Sequence, residues 1–118
     1  MTLTSVRAPL WAALNELCPL HLAGSWDQVG PMVDPELVVE GQDRQERQAE
    51  RIFLTIDLTE QVYEEAQAWG ASVIIAYHPL LFRPLKRLTP HDAITRVAMR
   101  AVRDGVAIYS PHSALDAV

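Results

Sequence analysis

The sequence predicts an α/β fold with a mixed, mainly parallel sheet and helices packed on it. Two observations support this: from residue 52 onwards, short runs of branched apolar residues alternate with segments of helical spacing, and the two helical segments between these runs end at Gly70 and Gly105. Strand–helix–strand units of this length form right-handed parallel crossovers. We therefore expect three adjacent, parallel strands over 52–57, 72–77 and 106–110.

The helices between these strands are expected at 60–69 and at about 90–104. Thr59 is a favourable N-cap residue for the first helix, and Thr89 is one for the second, with Pro90 in its first turn. Apolar residues three and four positions apart give each helix one buried face. In the second helix, the expected inner face comprises Ile94, Val97, Ala98, Ala101 and Val102.

The first part of the chain is less regular. A helix is expected over 9–20, because Pro9 is tolerated in a first turn, leucines recur along one face, and Pro19 stops the helix. A short strand is expected at 31–33. The segment from about 34 to 50 contains many charges of both signs, which is typical of a solvated loop or an insertion.

Length and composition fit one small domain or part of a larger one. The chain has 118 residues, of which 49% are apolar and 21% charged, as in ordinary globular proteins. Its net charge of −5 argues against direct nucleic-acid binding. It contains neither a secretory signal nor a run of the ~20 apolar residues that span a bilayer. With one cysteine, Cys18, it fits a reducing compartment, so we expect a cytoplasmic protein without membrane contacts.

Polar side chains follow two of the predicted strands where those strands end. His78 follows the second strand and precedes Pro79, while His112 and Asp116 follow the third strand. Ligands of open α/β sheets bind at the carboxyl ends of the strands. An imidazole and a carboxylate at that edge suit a first-row metal ion or acid–base chemistry. The alternatives are a structural histidine at 78 and a surface histidine with a turn aspartate at 112 and 116.

Two other features lie beside His78. Tyr77 has a phenol whose intrinsic pKa near ~10 makes it a poor metal ligand, so it is interpreted as an aromatic wall. Arg83, Lys86 and Arg87 form a small basic cluster. Such a cluster can hold a phosphate or a carboxylate, although loop cations are more often simply solvated.

Four blocks of the sequence resemble, in order, the N-terminal blocks of the Nif three-like family, whose bacterial members are often labelled GTP cyclohydrolase 1 type 2 homologues. The blocks lie at 25–30, 54–59, 76–86 and 109–117. The resemblance covers nearly the whole chain except the charged segment. It implies a single Nif three-like N-terminal domain over 1–118, with a charged loop or insertion at about 34–50 and without the C-terminal part of the family domain.

The resemblance further implies a two-metal centre in a domain that commonly assembles into a hexamer. The family's ligands map onto His78, the second residue of a His-His pair, and onto Asp116 of a His-Thr-x-Leu-Asp block. Tyr77 replaces the first histidine of the pair, as is usual in the animal branch, and the family's later His-x-x-x-Glu block has no counterpart here. With two of five ligands present, we expect divalent metal to bind weakly or not at all, with His112 supporting a ligand or carrying a proton.

Two functions follow from the resemblance. The first is a protein-interaction factor associated with transcriptional co-regulators, with a remnant divalent-metal site; Tyr77 favours it, and such a protein is expected in the cytoplasm and also in the nucleus. The alternative is a divalent-metal-dependent hydrolase of a nucleotide or another phosphorylated small molecule, expected to be inactive in this truncated chain. Self-association is expected in either case, and metal content distinguishes the two functions.

Overall fold

Six strands, four α-helices and one short 3₁₀-helix (Leu20–Leu22) form the part of the chain that the computed structural model describes, residues 2–40 and 49–118. The strands are β1 (Leu3–Ser5), β2 (Gly30–Val33), β3 (Leu37–Val39), β4 (Ile52–Thr55), β5 (Val73–Ala76) and β6 (Ala107–Ser110). The helices are α1 (Ala8–Leu17), α2 (Glu60–Trp69), α3 (Ala93–Asp104) and α4 (His112–Asp116). None of these helices is long and apolar enough to cross a bilayer.

The central sheet has four strands in the order β2-β6-β5-β4. Strands β4, β5 and β6 are parallel, and their register places Phe53, Ile74 and Ile108 side by side across the sheet. Strand β2 joins the free side of β6 in the antiparallel direction. The predicted arrangement of three adjacent parallel strands is confirmed, and the sheet is mixed and mainly parallel. Each of these strands is one or two residues shorter than predicted.

The hydrophobic core lies between this sheet and helices α2 and α3. Ile74 and Ile108 are fully buried, as are Tyr63 of α2 and Ala101 of α3. Burying a large aliphatic or aromatic side chain contributes about 1.5–3 kcal/mol relative to leaving it in water. These residues therefore fix both helices on one face of the sheet.

The predicted inner face of α3 is only partly correct. Val97, Ala98 and Ala101 are buried as expected, but Ile94 and Val102 are 46% and 58% exposed. Helix α3 begins later than predicted, and Thr95 of its first turn is buried instead. The core-facing stripe is therefore narrower than the apolar pattern indicates.

The predicted caps of α2 are confirmed, whereas the predicted start of α3 is wrong. The Thr59 hydroxyl accepts a hydrogen bond from the Val62 N–H at 3.1 Å. Helix α3 begins at Ala93, with Asp92 rather than Thr89 as its N-cap. Asp92 and Thr95 exchange hydrogen bonds in a capping box, which satisfies two backbone N–H groups at once. Thr89 instead places its hydroxyl 2.6 Å from the imidazole of His91.

The first helix is also shorter than predicted. It ends at Leu17, not at residue 20, because Cys18 precedes Pro19 and a residue before proline is driven out of the helical region. Within the segment predicted as a charged loop, Leu37–Val39 form strand β3, which pairs with β1 in a separate antiparallel sheet. The apolar triplet at 37–39 suits a strand. The rest of the prediction falls largely on 41–48, outside the described residues.

A buried arginine ties this small sheet to the rest of the domain. Arg7 is 2% exposed, and its Nη2 donates to the Gly105 carbonyl at 3.1 Å and to the Glu36 carboxylate at 3.1 Å. Its Nε lies 3.2 Å from the Glu50 carboxylate. Because a buried charge is tolerated only when it is paired, these contacts fix the position of the first residues against the end of α3.

Candidate functional site at the carboxyl edge of the sheet

Three rings meet at the carboxyl edge of the central sheet. Tyr77 and His78 directly follow β5, and His112 begins α4 after β6. The ring centroid of His112 lies 5.3 Å from that of Tyr77 and 5.5 Å from that of His78, in both cases edge to face. The centroids of Tyr77 and His78 are 5.0 Å apart. The parallel strands therefore bring together two of the predicted site residues, His78 and His112.

His78 pairs with an aspartate from the neighbouring strand end. Its Nδ1 lies 2.7 Å from Oδ1 of Asp57, which follows β4. Both side chains are well exposed, at 49% and 69%. Since a carboxylate only accepts hydrogen bonds, the proton of the neutral imidazole is placed on Nδ1. The Nε2 atom of His78 is then left with a free lone pair.

His112 has a similar partner in a more protected setting. Its Nδ1 lies 2.9 Å from Oδ1 of Asp27, whose side chain has no solvent exposure. The other oxygen of Asp27 accepts hydrogen bonds from the backbone N–H and the hydroxyl of Ser113. Burial alone raises the pKa of Asp27, but the hydrogen bonds from Ser113 and His112 outweigh it and lower the pKa to about 2. Asp27 is therefore ionised at neutral pH.

The backbone at His112 is strained. Its φ angle is 30°, and it is the one residue other than glycine with positive φ among those that the structure describes. Such a conformation costs on the order of 1–3 kcal/mol and persists only where neighbouring contacts hold it. Asp27 supplies those contacts by binding both the imidazole and the next residue, Ser113. The hydrogen bonds of Asp27 therefore offset the strain and hold the His112 imidazole at the carboxyl edge of the central sheet.

Asp116 reaches the cluster through Tyr77. The Tyr77 hydroxyl lies 2.6 Å from one carboxylate oxygen of Asp116 and 2.7 Å from the other. The hydrogen bond to Asp116, together with loss of hydration, raises the pKa of Tyr77, so the phenol is protonated at neutral pH and donates to the carboxylate. Among the described residues His78 and Asp116 share no hydrogen bond, and Tyr77 contacts both.

Trp26 forms an exposed rim beside His112. Its ring meets the imidazole edge to face at 5.9 Å and is 63% exposed. A Cβ on Gly24 would lie 2.5 Å from the indole nitrogen, so a larger residue there would displace the Trp26 ring from its present position. The Gly24 N–H also donates to the Ser113 hydroxyl at 3.0 Å. The loop before β2 is therefore packed directly against α4 and the site.

The donors of this cluster fit a divalent metal ion in part. Two imidazoles have their Nδ1 atoms held by carboxylates, which is the usual support for histidines that bind metal through Nε2. Within 2–40 and 49–118, however, no three His, Cys, Asp or Glu side chains surround a common point. Both oxygens of Asp116 also face the Tyr77 hydroxyl. The assignment of His78 and Asp116 as metal ligands stays a prediction.

The sequence patterns alone assign no role to Asp57 or Asp27. Asp57 stands at the carboxyl end of a parallel strand, so the rule that selected His78 also applies to it. Asp27 gives no comparable signal, because it lies in a loop and is 85 residues away from His112 along the chain. Both aspartates fall within the blocks that carry the family resemblance.

Fold and site together define an α/β domain with a cluster of histidines and aspartates at the carboxyl edge of a mixed sheet. The family model for Duf34/NIF3 (NGG1p interacting factor 3) matches residues 7–118, nearly the entire chain. The chain belongs to this family, which confirms the resemblance described above.

Named relatives come from eukaryotes and bacteria. NIF3-like protein 1 of Dictyostelium discoideum is 46% identical over 103 residues, covering 87% of this chain and 27% of that protein. NIF3-like protein 1 of Bos taurus is 43% identical over 108 residues, covering 92% of this chain and 26% of that protein. GTP cyclohydrolase 1 type 2 homolog of Lactococcus lactis is 36% identical over 104 residues, covering 88% of this chain and 37% of that protein. The chain thus spans about a quarter of the length of the NIF3-like protein 1 relatives.

Solved structures of related proteins share the fold. A Bacillus cereus protein related to NIF3 matches with a TM-score of 0.73 and 31% identity, covering 89% of this chain and 26% of that chain. The Staphylococcus aureus protein SA1388 matches with a TM-score of 0.78 and 25% identity, covering 96% of this chain and 29% of that chain. The mixed α/β architecture is therefore that of NIF3-family proteins.

Proposed function

We propose that this chain provides a weak divalent-metal site at the carboxyl edge of a NIF3-family domain whose main role is protein interaction, with transcriptional co-regulators as partners. The observation that carries the proposal is the contact between the Tyr77 hydroxyl and both oxygens of Asp116. The family's own description, NGG1p interacting factor 3, names an interaction rather than a reaction.

The Tyr77–Asp116 contact weakens the site for metal-dependent catalysis. A neutral phenol offers a proton where an imidazole would offer a lone pair, and it occupies the carboxylate that is the second predicted ligand. Hydrolysis by two metals requires groups that bridge the ions and an open position for water. The two predicted ligands are the imidazole of His78 and the carboxylate of Asp116, which already accepts the Tyr77 hydrogen bond. This pair suits a remnant site better than a catalytic one.

The remaining polar groups have supporting roles in this proposal. Nε2 of His78 and the carboxylate of Asp116 would hold the ion, and Asp57 would orient the His78 ring. A bound divalent ion would supply positive charge and lower the pKa of a bound water. His112, which Asp27 holds in a strained backbone conformation, would accept or donate a proton beside that position.

A second candidate is a metal-dependent hydrolase of a nucleotide or another phosphorylated small molecule. The name of the Lactococcus lactis relative, GTP cyclohydrolase 1 type 2 homolog, suggests this class. The observation that favours it is the pair of aspartate–histidine contacts, because a carboxylate behind an imidazole is a common arrangement for general bases. We also propose that the protein self-associates and occupies the cytoplasm and the nucleus.

Hydrolysis assays separate the two candidates. Turnover of nucleoside triphosphates is followed by chromatography of the nucleotide and its products, with Mn²⁺ or Zn²⁺, for wild type, His78→Ala and His21→Ala. His21 is an exposed histidine in the turn Leu20–Leu22, outside the ring cluster, and so serves as the matched control. We expect no turnover that depends on His78. Turnover that is lost in His78→Ala and kept in His21→Ala would establish the hydrolase instead.

A further inference from the structure

The loop after His78 and the start of α3 line a cavity of about 700 Å³ that is open to solvent. Its wall includes the three cations noted in the sequence, Arg83, Lys86 and Arg87. Tyr77, His78 and the residues of α4 are not part of this wall. Cavities of this size fall in the range that holds small-molecule ligands.

These three cations differ from the other described Lys and Arg residues in their hydrogen bonding. The chain has ten Lys and Arg residues, of which Arg44 and Arg47 lie outside the described ranges. Each of the other five described arginines has a hydrogen-bonding partner. These partners include Glu36 and Gly105 for Arg7, Trp69 for Arg51, Glu60 for Arg96, Glu64 for Arg100 and Asp104 for Arg103.

Among the Lys and Arg side chains within 2–40 and 49–118, only those of Arg83, Lys86 and Arg87 lack a hydrogen bond or an ion pair, and all three line the same cavity. Carboxylates outnumber cations in this chain, whose net charge is −5, so acidic partners are plentiful. A concentration of unpaired positive charge in such a protein raises the local concentration of anions.

The acidic residue in the cavity wall does not neutralise these cations. Asp92 is the N-cap of α3, and its Oδ1 accepts hydrogen bonds from the backbone N–H and the hydroxyl of Thr95, both at 2.8 Å. Its Oδ2 lies 3.4 Å from Nε2 of His91. Both oxygens therefore already have partners within the helix cap, and the three cations remain available to a ligand.

Most of the remaining wall residues are apolar, and several of them are open to solvent. Phe82, Leu85 and Ile94 line the cavity and are 43%, 38% and 46% exposed. Ile94 was predicted to belong to the buried stripe of α3, yet it faces this cavity instead. Exposed apolar side chains beside unpaired cations suit a ligand with an anionic group and an apolar body.

We propose that this cavity binds a small organic phosphate, with its phosphate on Arg83, Lys86 and Arg87 and its apolar or aromatic portion against Phe82, Leu85 and Ile94. A phosphate has three terminal oxygens and up to two negative charges, so it can accept hydrogen bonds from several of these cations at once, and the guanidinium fork of an arginine matches two of its oxygens. The site requires no metal ion and goes beyond the function proposed above.

The test is a titration of the ¹⁵N-labelled protein with phenyl phosphate in metal-free buffer containing EDTA, followed by amide chemical shifts. We expect saturable shifts confined to the cavity segment 79–94, and weaker binding of inorganic phosphate and of benzyl alcohol, which each carry half of the ligand chemistry. Binding should weaken as salt is added, because exposed charges are screened. Since EDTA removes metal, failure here does not bear on the metal site.

Variants distinguish binding of the phosphate in this cavity from a general effect of the protein's net charge. Arg83→Gln, Lys86→Gln and Arg87→Gln should each weaken phenyl phosphate binding by about three- to tenfold, the range for one partly exposed charge-assisted contact. Arg103→Gln changes the net charge equally but lies outside this cavity, and it should bind as wild type does. All four altered side chains are on the surface, so each variant is expected to fold. The amide chemical shifts of the unliganded variant report whether it does.

Several results would overturn the proposal. These are shifts outside 79–94, an equal loss in Arg103→Gln, or inorganic phosphate that binds as tightly as phenyl phosphate. A glutamate-rich peptide that binds the same segment more tightly than phenyl phosphate would assign the cavity to an acidic protein partner instead.

Discussion

Replacing Asp27 tests whether the loop before β2 holds the site in place. Asp27 has no solvent-exposed side-chain surface, and its carboxylate accepts hydrogen bonds from the His112 ring, the Ser113 N–H and the Ser113 hydroxyl. Asp27→Ala removes the acceptor for all three donors. It also removes the contacts that hold His112 at its positive φ.

The expected loss of stability follows from these contacts. A buried donor left without an acceptor costs about 1–3 kcal/mol. The Ser113 hydroxyl can rotate to another acceptor, so the lasting losses are those at the Ser113 N–H and at the His112 ring. We therefore expect Asp27→Ala to lower the free energy of unfolding by about 3 kcal/mol, a large share of the ~5–15 kcal/mol typical of a domain. Asp27→Asn keeps one oxygen acceptor and should lose about half as much.

Urea unfolding followed by circular dichroism gives the free energies to be compared. The matched control is Asp57→Ala, which removes the carboxylate from the other aspartate–histidine pair. Asp57 is 69% exposed, and an exposed ion pair contributes only about 0–1 kcal/mol. If Asp27→Ala and Asp57→Ala reduce stability equally, the buried hydrogen bonds of Asp27 are not what holds α4.

Further outcomes are expected from pH, charge and backbone changes. Because folding lowers the pKa of Asp27 to about 2 from its usual 3.8, the stability from Asp27 should be complete above pH 4 and decline as pH falls towards 2; Asp27→Asn should remove this component from a pH series of urea midpoints. Arg7→Met should cost about 3 kcal/mol or more, since it leaves carbonyl and carboxylate groups without their buried partner, and a loss below 1 kcal/mol in urea unfolding would contradict this. Gly105→Ala should lower the free energy of unfolding by on the order of 1 kcal/mol, because Gly105 has a φ of 72°. The same thermal melts of Ala68→Gly in α2 give the effect of an alanine–glycine exchange that acts through helix propensity.

Much of the fold is predictable because its signals are local. The parallel strands follow from short apolar runs, and the helices between them end at Gly70 and Gly105, both of which have positive φ. The predicted start of α3 was wrong because Thr89 and Asp92 are both plausible N-cap residues. Only the reciprocal bond between Asp92 and Thr95 decides between them.

The parts that the sequence did not predict depend on contacts between distant residues. Strand β1 is recognisable only through its pairing with β3, which places Leu3 opposite Val39. At the site, His78 and His112 were found from their positions after parallel strands, whereas the role of Asp27 depends on a loop that folds back onto α4. The contact between Tyr77 and Asp116 joins two turns that no spacing rule relates.

Metal binding to Tyr77→His tests the proposed remnant site most directly. Equilibrium dialysis against micromolar Zn²⁺ is carried out on wild type, Tyr77→His and His78→Ala, with bound metal measured by elemental analysis. Replacing the phenol by an imidazole adds a nitrogen donor and releases the Asp116 carboxylate from its hydrogen bond. We expect less than one ion per chain in wild type, a clear gain in Tyr77→His, and none in His78→Ala. Tight, stoichiometric binding by wild type that His78→Ala abolishes and Tyr77→His does not improve would contradict a site weakened by Tyr77.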